Sequence, residues 1–141
     1  MINDGLKMTG AVAIALNGEV VQEIPNLVVT AGKNFVASRM KDTTKAAMTH
    51  MAIGTNNTTA AVTQTALSAE AARGALTSTT VSTNTIAYVE TFAAGTGTGA
   101  IVEAGVFNAS SGGTMLCRTV FAVVNKGSAD AMTITWTITV S

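Results

Sequence analysis

The segment MTITWTITVS at the C-terminal end limits the choice of fold more than any other stretch of the chain. From Met132 to Val140 the side chains Met132, Ile134, Trp136, Ile138 and Val140 alternate without exception with Thr133, Thr135, Thr137 and Thr139. A period of two sends successive side chains to opposite faces of an extended strand, and β-branched and aromatic residues favour that conformation. The segment is therefore predicted to be a strand, with its apolar row in a core and its threonines on the other face. Threonine hydroxyls and methyls carry no charge to repel a neighbour, so Thr135 and Thr137, at the centre of the row, are candidate contacts with a partner.

The rest of the chain reads in the same terms. GAVAIALNGEVVQEIPNLVV is predicted to form two strands around Asn17-Gly18, a dipeptide suited to a two-residue hairpin turn. Pro25, lacking an amide donor, should end the second strand or lie at an edge. Phe35, Val36, Arg39 and Met40 then fall at helical spacing, which predicts one short helix over Ala31 to Lys41 with Thr30 as its N-cap. A strand is expected over Met48 to Ile53, ending at the turn formers of GTNNTT. AAVTQTALSAEAAR reads as a long ordered loop with at most one helical turn. From Ala75 onward ALTSTTVS, TIAYVETFA, GAIVEAGVFNA, TMLCRTVFAVV and the terminal strand are separated by turn signals.

Together these elements predict an all-β fold, an antiparallel jelly-roll-like β-sandwich of about eight strands with one short α-helix. A length of 141 residues suits one domain, read as residues 10–141, preceded by an N-terminal arm, residues 1–9. The arm MINDGLKM has no period of its own and offers Ile2, Leu6 and Met8 as contacts with a neighbour. Lys7 followed by MTGAVAIALNG imitates a short signal peptide, but Asp4 and the shortness of the apolar run favour a strand.

Composition narrows the partners. Only 11% of residues are charged, under half of the ~25% usual for soluble domains, so much of the surface is suited to another protein rather than to water. Lys plus Arg and Asp plus Glu number 8 each and are scattered singly, which leaves no basic stripe for nucleic acid. No apolar run approaches the ~18 residues of a membrane span.

The candidate chemical sites are weak. GTGTGA resembles a phosphate loop, but IVEAGVF after it reads as a strand and supplies no helix N-terminus. Cys117 alternates with Met115 and Phe121 and reads as core, and His50 has no carboxylate or nucleophile motif beside it. Trp136 shares its face with Ile134 and Ile138 and also reads as core. Glu90 and Glu103, in neighbouring strands, could pair for glycoside hydrolysis but are read as solvent-facing members of alternating strands. No catalytic residue, cofactor or metal site is expected.

NLVVTAGKNFVASRM, MAIGTNNTTAAVTQTALSAEAAR and EAGVFNASSGGTMLCRTVF carry a resemblance. Together they resemble small tailed-bacteriophage virion structural proteins in which an "IGT…T…L..E..R" segment precedes a run of strands. Gly54, Thr55, Thr65, Leu67, Glu70 and Arg73 occupy the motif positions here. Length and layout are most similar to capsid cement (decoration) proteins. That resemblance implies a non-enzymatic jelly-roll protein on the outer surface of the capsid, bound to the major capsid protein and to itself as a homodimer. Tail and fibre-attachment proteins carry similar segments, so a tail-associated structural protein, with or without sugar binding, is the alternative. Two further readings make distinct demands. Ice binding needs threonine rows exposed on adjacent strands, and a lectin needs an aromatic ring and several amides or carboxylates converging at one end.

Overall fold

The computed structural model describes residues 5–41 and 45–141, so Ile2 lies outside the described residues. The strand elements are β1 (Met8–Leu16), β2 (Glu19–Pro25), β3 (Leu27–Val28), β4 (His50–Gly54), β5 (Glu70–Ala75), β6 (Ser78–Ser82), β7 (Thr85–Phe92), β8 (Gly99–Phe107), β9 (Met115–Lys126) and β10 (Met132–Val140), with one helix, α1 (Thr30–Arg39), between β3 and β4. They form two five-stranded antiparallel sheets, ordered β2-β1-β10-β7-β6 (sheet A) and β3-β9-β8-β4-β5 (sheet B). The expected all-β sandwich is present, with ten described strands rather than about eight.

The hairpin turn at Asn17-Gly18 follows from its residues. Both have positive φ, 52° and 84°, the conformation a two-residue turn between right-twisted strands requires. The Asn17 amide also donates to the Asp130 carboxylate at 2.8 Å and accepts from the Ala131 N–H at 2.9 Å, which ties this turn to the loop before β10. Pro25 closes β2, an edge strand, as its missing donor demands.

Three local expectations are corrected. Thr30 is the first residue of α1 rather than its cap; Val29 holds the N-cap position and no side chain caps the helix, which ends at Arg39. The segment read as loop through Arg73 contains β5, which pairs with β4 and forms the edge of sheet B. Alanine-rich EAARGA has little strand propensity of its own, so tertiary pairing rather than local preference makes it a strand. Met8, assigned to the arm, opens β1 and pairs with Val140.

The core fills the space between the sheets. Sheet A contributes Val12, Ile14, Phe92, Met132, Ile134, Trp136 and Ile138, and sheet B contributes Met51, Ile53, Ile101, Val106 and Cys117. Trp136 is fully buried, its Cα partners being Val12 and Tyr88 on the flanking strands. Its indole N–H meets no acceptor among the described residues, so the side chain acts there by volume.

The outer face of sheet B is covered by the chain itself. A second cluster, Val29, Ala52, Leu67, Phe107 and Met115, packs there under α1 and the long 55–69 loop. Glu103 and Arg118 hold that loop down. Arg118 Nη2 lies 3.0 Å from Glu103 Oε1, with both side chains wholly buried. The carboxylate also accepts the backbone N–H groups of Asn56, Ser68 and Ala69 at 2.8–3.1 Å. Arg118 donates in addition to the Thr58 carbonyl and to Gln64 Oε1. Glu103 is therefore not solvent-facing as expected: its side chain does point outward from β8, but into the covering loop. Glu90, likewise expected outside, shares the inner face of β7 with Tyr88 and Phe92, where it accepts from Thr77 Oγ1 and the Thr91 N–H.

Of the positions that carried the family resemblance, Gly54, Thr55 and Leu67 lie at this lock. A Cβ on Gly54 would meet the Ala69 carbonyl at 2.4 Å and Glu103 Oε2 at 2.5 Å, so only glycine fits. Thr55 N–H donates to that carbonyl, and Leu67 is buried. Arg73 pairs with Glu70 at 2.7 Å, donates to the carbonyls of Ala109 and Gly112, and stacks 3.8 Å from the Phe107 ring centre.

Two stability outcomes follow. Trp136→Ala is expected to cost about 3–5 kcal/mol, read as a lowered midpoint of urea unfolding. Arg118→Met, which leaves the Glu103 carboxylate buried without its cation, is expected to cost a similar amount, about 3–5 kcal/mol, whereas Glu103→Gln combined with Arg118→Met should lose less than Arg118→Met alone. A double variant no more stable than the single one would show that the buried charge is not the source of the loss.

Candidate functional site

Among the described residues, no loop or helix covers the outer face of sheet A, whose threonines on β10 stay partly exposed. Its residues follow from register. Thr139, Thr137, Thr135 and Thr133 of β10 pair with Thr9, Ala11, Ala13 and Ala15 of β1, and on the other side with Thr85, Ala87, Val89 and Thr91 of β7. Side chains of paired residues share a face, so the threonine row stands between a column of one threonine and three alanines on β1 and a column of two threonines, an alanine and a valine on β7. Ser78, Thr80 and Ser82 of β6 continue the plane. None of these side chains is ionisable. Glu23 of β2, opposite Ala13, and Lys7, before β1, lie at its margins.

Thr135 and Thr137 are half-buried at the centre, where they form one wall of a shallow groove of about 300 Å³ floored by Ala11 and Ala13 and bounded by Glu23. The Thr91 and Thr133 hydroxyls bond to each other at 2.9 Å across the strands. The face thus presents methyl groups and hydroxyls at nearly constant height. It suits van der Waals contact with a flat partner and exchange of hydrogen bonds at hydroxyls, with no charge to desolvate.

The arm candidates lie elsewhere. Leu6 is 77% exposed and lines a surface pocket with Met8, which is partly buried against the core, and with Lys33 of α1. These two residues are adjacent to each other but are not part of the threonine face. The alanines on β1 and β7 that complete the face were not singled out from sequence. Their signal is the odd-numbered alanine alternation in GAVAIAL, visible only once β1 is placed beside β10.

The other chemical groups are scattered. Glu90 lies between the sheets and Glu103 on the far side of sheet B, so the two carboxylates do not converge. The His50 ring bonds to Thr49 Oγ1 at 2.7 Å. Cys117 is completely buried, and burial pushes its thiol well above the ordinary range. Tyr88, buried 6% exposed beside it, is pushed up to about 12, mainly by burial and further by the Cys117 charge were it to form. Tyr88, Trp136, Phe35, Phe92, Phe107 and Phe121 are all buried, which leaves no ring for stacking a sugar. The matching rows that ice binding needs are not formed either, because β1 sets one threonine and three alanines beside the threonine row, and β7 two threonines, an alanine and a valine. Among the described residues no group of His, Cys, Asp or Glu could hold a metal ion, and no helix is long and apolar enough to cross a membrane.

The fold and this face define an all-β sandwich with one self-covered and one open outer surface. Compared with known proteins, the chain matches no family model, no curated protein and no solved structure.

The buried thiol has a consequence for pH. The folded chain holds Cys117 neutral past the pH at which an unfolded chain ionises it, about 8.5. The stability from this group is present below that pH and is lost as pH rises beyond it toward the raised folded value. Unfolding midpoints are expected to fall as pH climbs above about 9, and less steeply in Cys117→Ala; parallel profiles for the two proteins would refute this.

Proposed function

We propose that the chain is a cement, or decoration, protein of a tailed-bacteriophage head, a non-enzymatic virion component on the outer surface of the capsid. It bridges adjacent major capsid protein subunits and binds copies of itself, so that joints under pressure from packaged DNA are held closed. The observation that carries this reading is the flat, uncharged alanine and threonine face of sheet A, set against a sheet B whose outer face the chain covers with its own loop and helix. A protein that stays free in solution keeps charge on such a plane. A plane meant for a partner gains by having none, since small side chains lose little hydration and leave no buried charge unpaired.

The resemblance in the Gly54 to Arg73 segment supports the phage address, and Gly54, Thr55 and Leu67 of that segment lie where the loop is held onto sheet B. The pairing of β1 with β10 and of β3 with β9, in opposite sheets, is the part of the strand order that a jelly-roll-like sandwich shares. Burial of every aromatic ring weighs against a sugar-binding role at a tail fibre.

Thr135→Lys and Thr137→Lys test the reading. Each is expected to change folding stability by no more than about 0.5 kcal/mol, because the side chain reaches solvent in the isolated protein. Each should strongly reduce retention on empty, expanded heads in co-sedimentation, where the ammonium would lose hydration without a partner. Unchanged retention of both would exclude this face as the contact, and retention of the parent protein on tail complexes instead of heads would exclude the capsid.

A further inference from the structure

The two sheets have four edges, and three of them are blunted in the ways that prevent strand addition. Strand β2 ends in Pro25, carries Glu19 and Glu23, and bulges where it pairs with Ile14 and Ala15. Strand β3 is only two residues long. Strand β5 bulges opposite Ile53 and Gly54 and carries the Glu70–Arg73 pair. Strand β6, Ser-Thr-Thr-Val-Ser, has no charge and no proline, and every residue in it is exposed. Its apolar member Val81 is 69% exposed, over the partly buried Ile86 and close to Val140.

The backbone of β6 is arranged for a partner strand. Its two-residue turn, Thr83-Asn84, makes Ser82 and Thr85 the hydrogen-bonded pair that closes the hairpin with β7. Bonding alternates along an antiparallel ladder, so Thr80 also faces β7, and the N–H and C=O groups of Thr79 and Val81 point away from the sheet. We propose that these free groups pair with the same groups of a second copy, joining two chains by antiparallel β6–β6 addition about a two-fold axis at Thr80.

The register follows from the alternation. Outward-pointing groups must face each other, which sets Thr79 opposite the partner's Val81 and Val81 opposite the partner's Thr79, with reciprocal bonds on both sides of the axis. Thr80 then meets its own symmetry mate as a non-hydrogen-bonded pair. A two-fold arrangement of this kind uses one patch twice and closes on itself. The identical strands carry no charge, so they approach without repulsion. The occupant is thus a second copy, which satisfies every free group of the edge with its own equivalent.

The joined sheets A would run unbroken across ten strands, presenting two alanine and threonine faces on one continuous surface. This inference deepens the self-association in the proposed function. Its test uses the purified chain without phage particles, so its failure is separate from any failure to bind heads.

Sedimentation equilibrium at micromolar concentration is expected to give a dimer for the parent protein and a monomer for Val81→Pro. Proline at that position removes an outward N–H but no bond to β7, so thermal unfolding of the variant should remain cooperative and close to that of the parent. Thr80→Cys provides a second measurement that needs no loss of structure. Non-hydrogen-bonded partners sit about 4.5 Å apart at Cα, within disulfide range, so Thr80→Cys should oxidise to a covalent dimer in a glutathione buffer while Val81→Cys, facing the partner's Thr79, should not. A monomeric parent protein would overturn the proposal and leave the edge to a strand of another protein. A dimer that persists in Val81→Pro, or equal cross-linking of the two cysteine variants, would overturn it as well.

Discussion

The ion pair between Glu103 and Arg118 is the interaction on which the architecture turns. A carboxylate and a guanidinium wholly out of water are tolerated only when their remaining donors and acceptors are satisfied. Here three backbone N–H groups of the 55–69 loop complete the carboxylate, and carbonyl and amide oxygens of the same loop complete the guanidinium. The loop, whose only large apolar side chains are Val62 and Leu67, is therefore held by polar contacts that would be costly to break. Leu67 supplies the apolar pin and Gly54 the room for close approach. With this in place, the outer face of sheet B is interior.

That closure gives sheet A its meaning. Both sheets share one core through Trp136, Phe92, Met51 and Ile53, and each has an outer face to dispose of. The chain spends its long loop and its helix on one of them. The other is left as a plane of threonines and alanines whose uniformity comes from strict alternation in three adjacent strands. No ionisable side chain stands on the columns of β1, β10 and β7 that form it: Glu103 and Arg118 are in the loop lock, Glu90 and Lys126 are buried, Glu23 is on the edge strand, and Lys33 and Arg39 are on α1.

The buried and the open rows are thus carried by the same strands of one sheet. The inner row of β10, Met132, Ile134, Trp136 and Ile138, is buried in the core, and the outer row stands beside alanines, threonines and Val89 on the opposite face, so substitutions there need not disturb the core. The same separation applies along the sheet: β1, β10 and β7 form its centre, while β6 lies at the edge with a strand on one side only and every residue exposed.

Much of this was legible in the chain because it depends on local pattern. The period of two in MTITWTITV, the Asn17-Gly18 turn and the helical spacing after Thr30 each act within a few residues, and the structure places a strand, a hairpin and a helix there. The burial of Trp136 and Cys117 follows from the company they keep on their strands. Strand β5 was not legible, because EAARGA becomes a strand only by pairing with β4. Nor was the fate of Glu103. Alternation says that a side chain leaves the sheet, and only tertiary structure decides whether water or another segment waits on that side. The 35 residues separating Ser68 from Glu103 put that decision beyond any local rule. The threonine face shows both halves: its chemistry is written in β10 alone, but its breadth and its openness come from the small uncharged side chains that β1 and β7 bring alongside, and from a loop that folds over the opposite sheet instead.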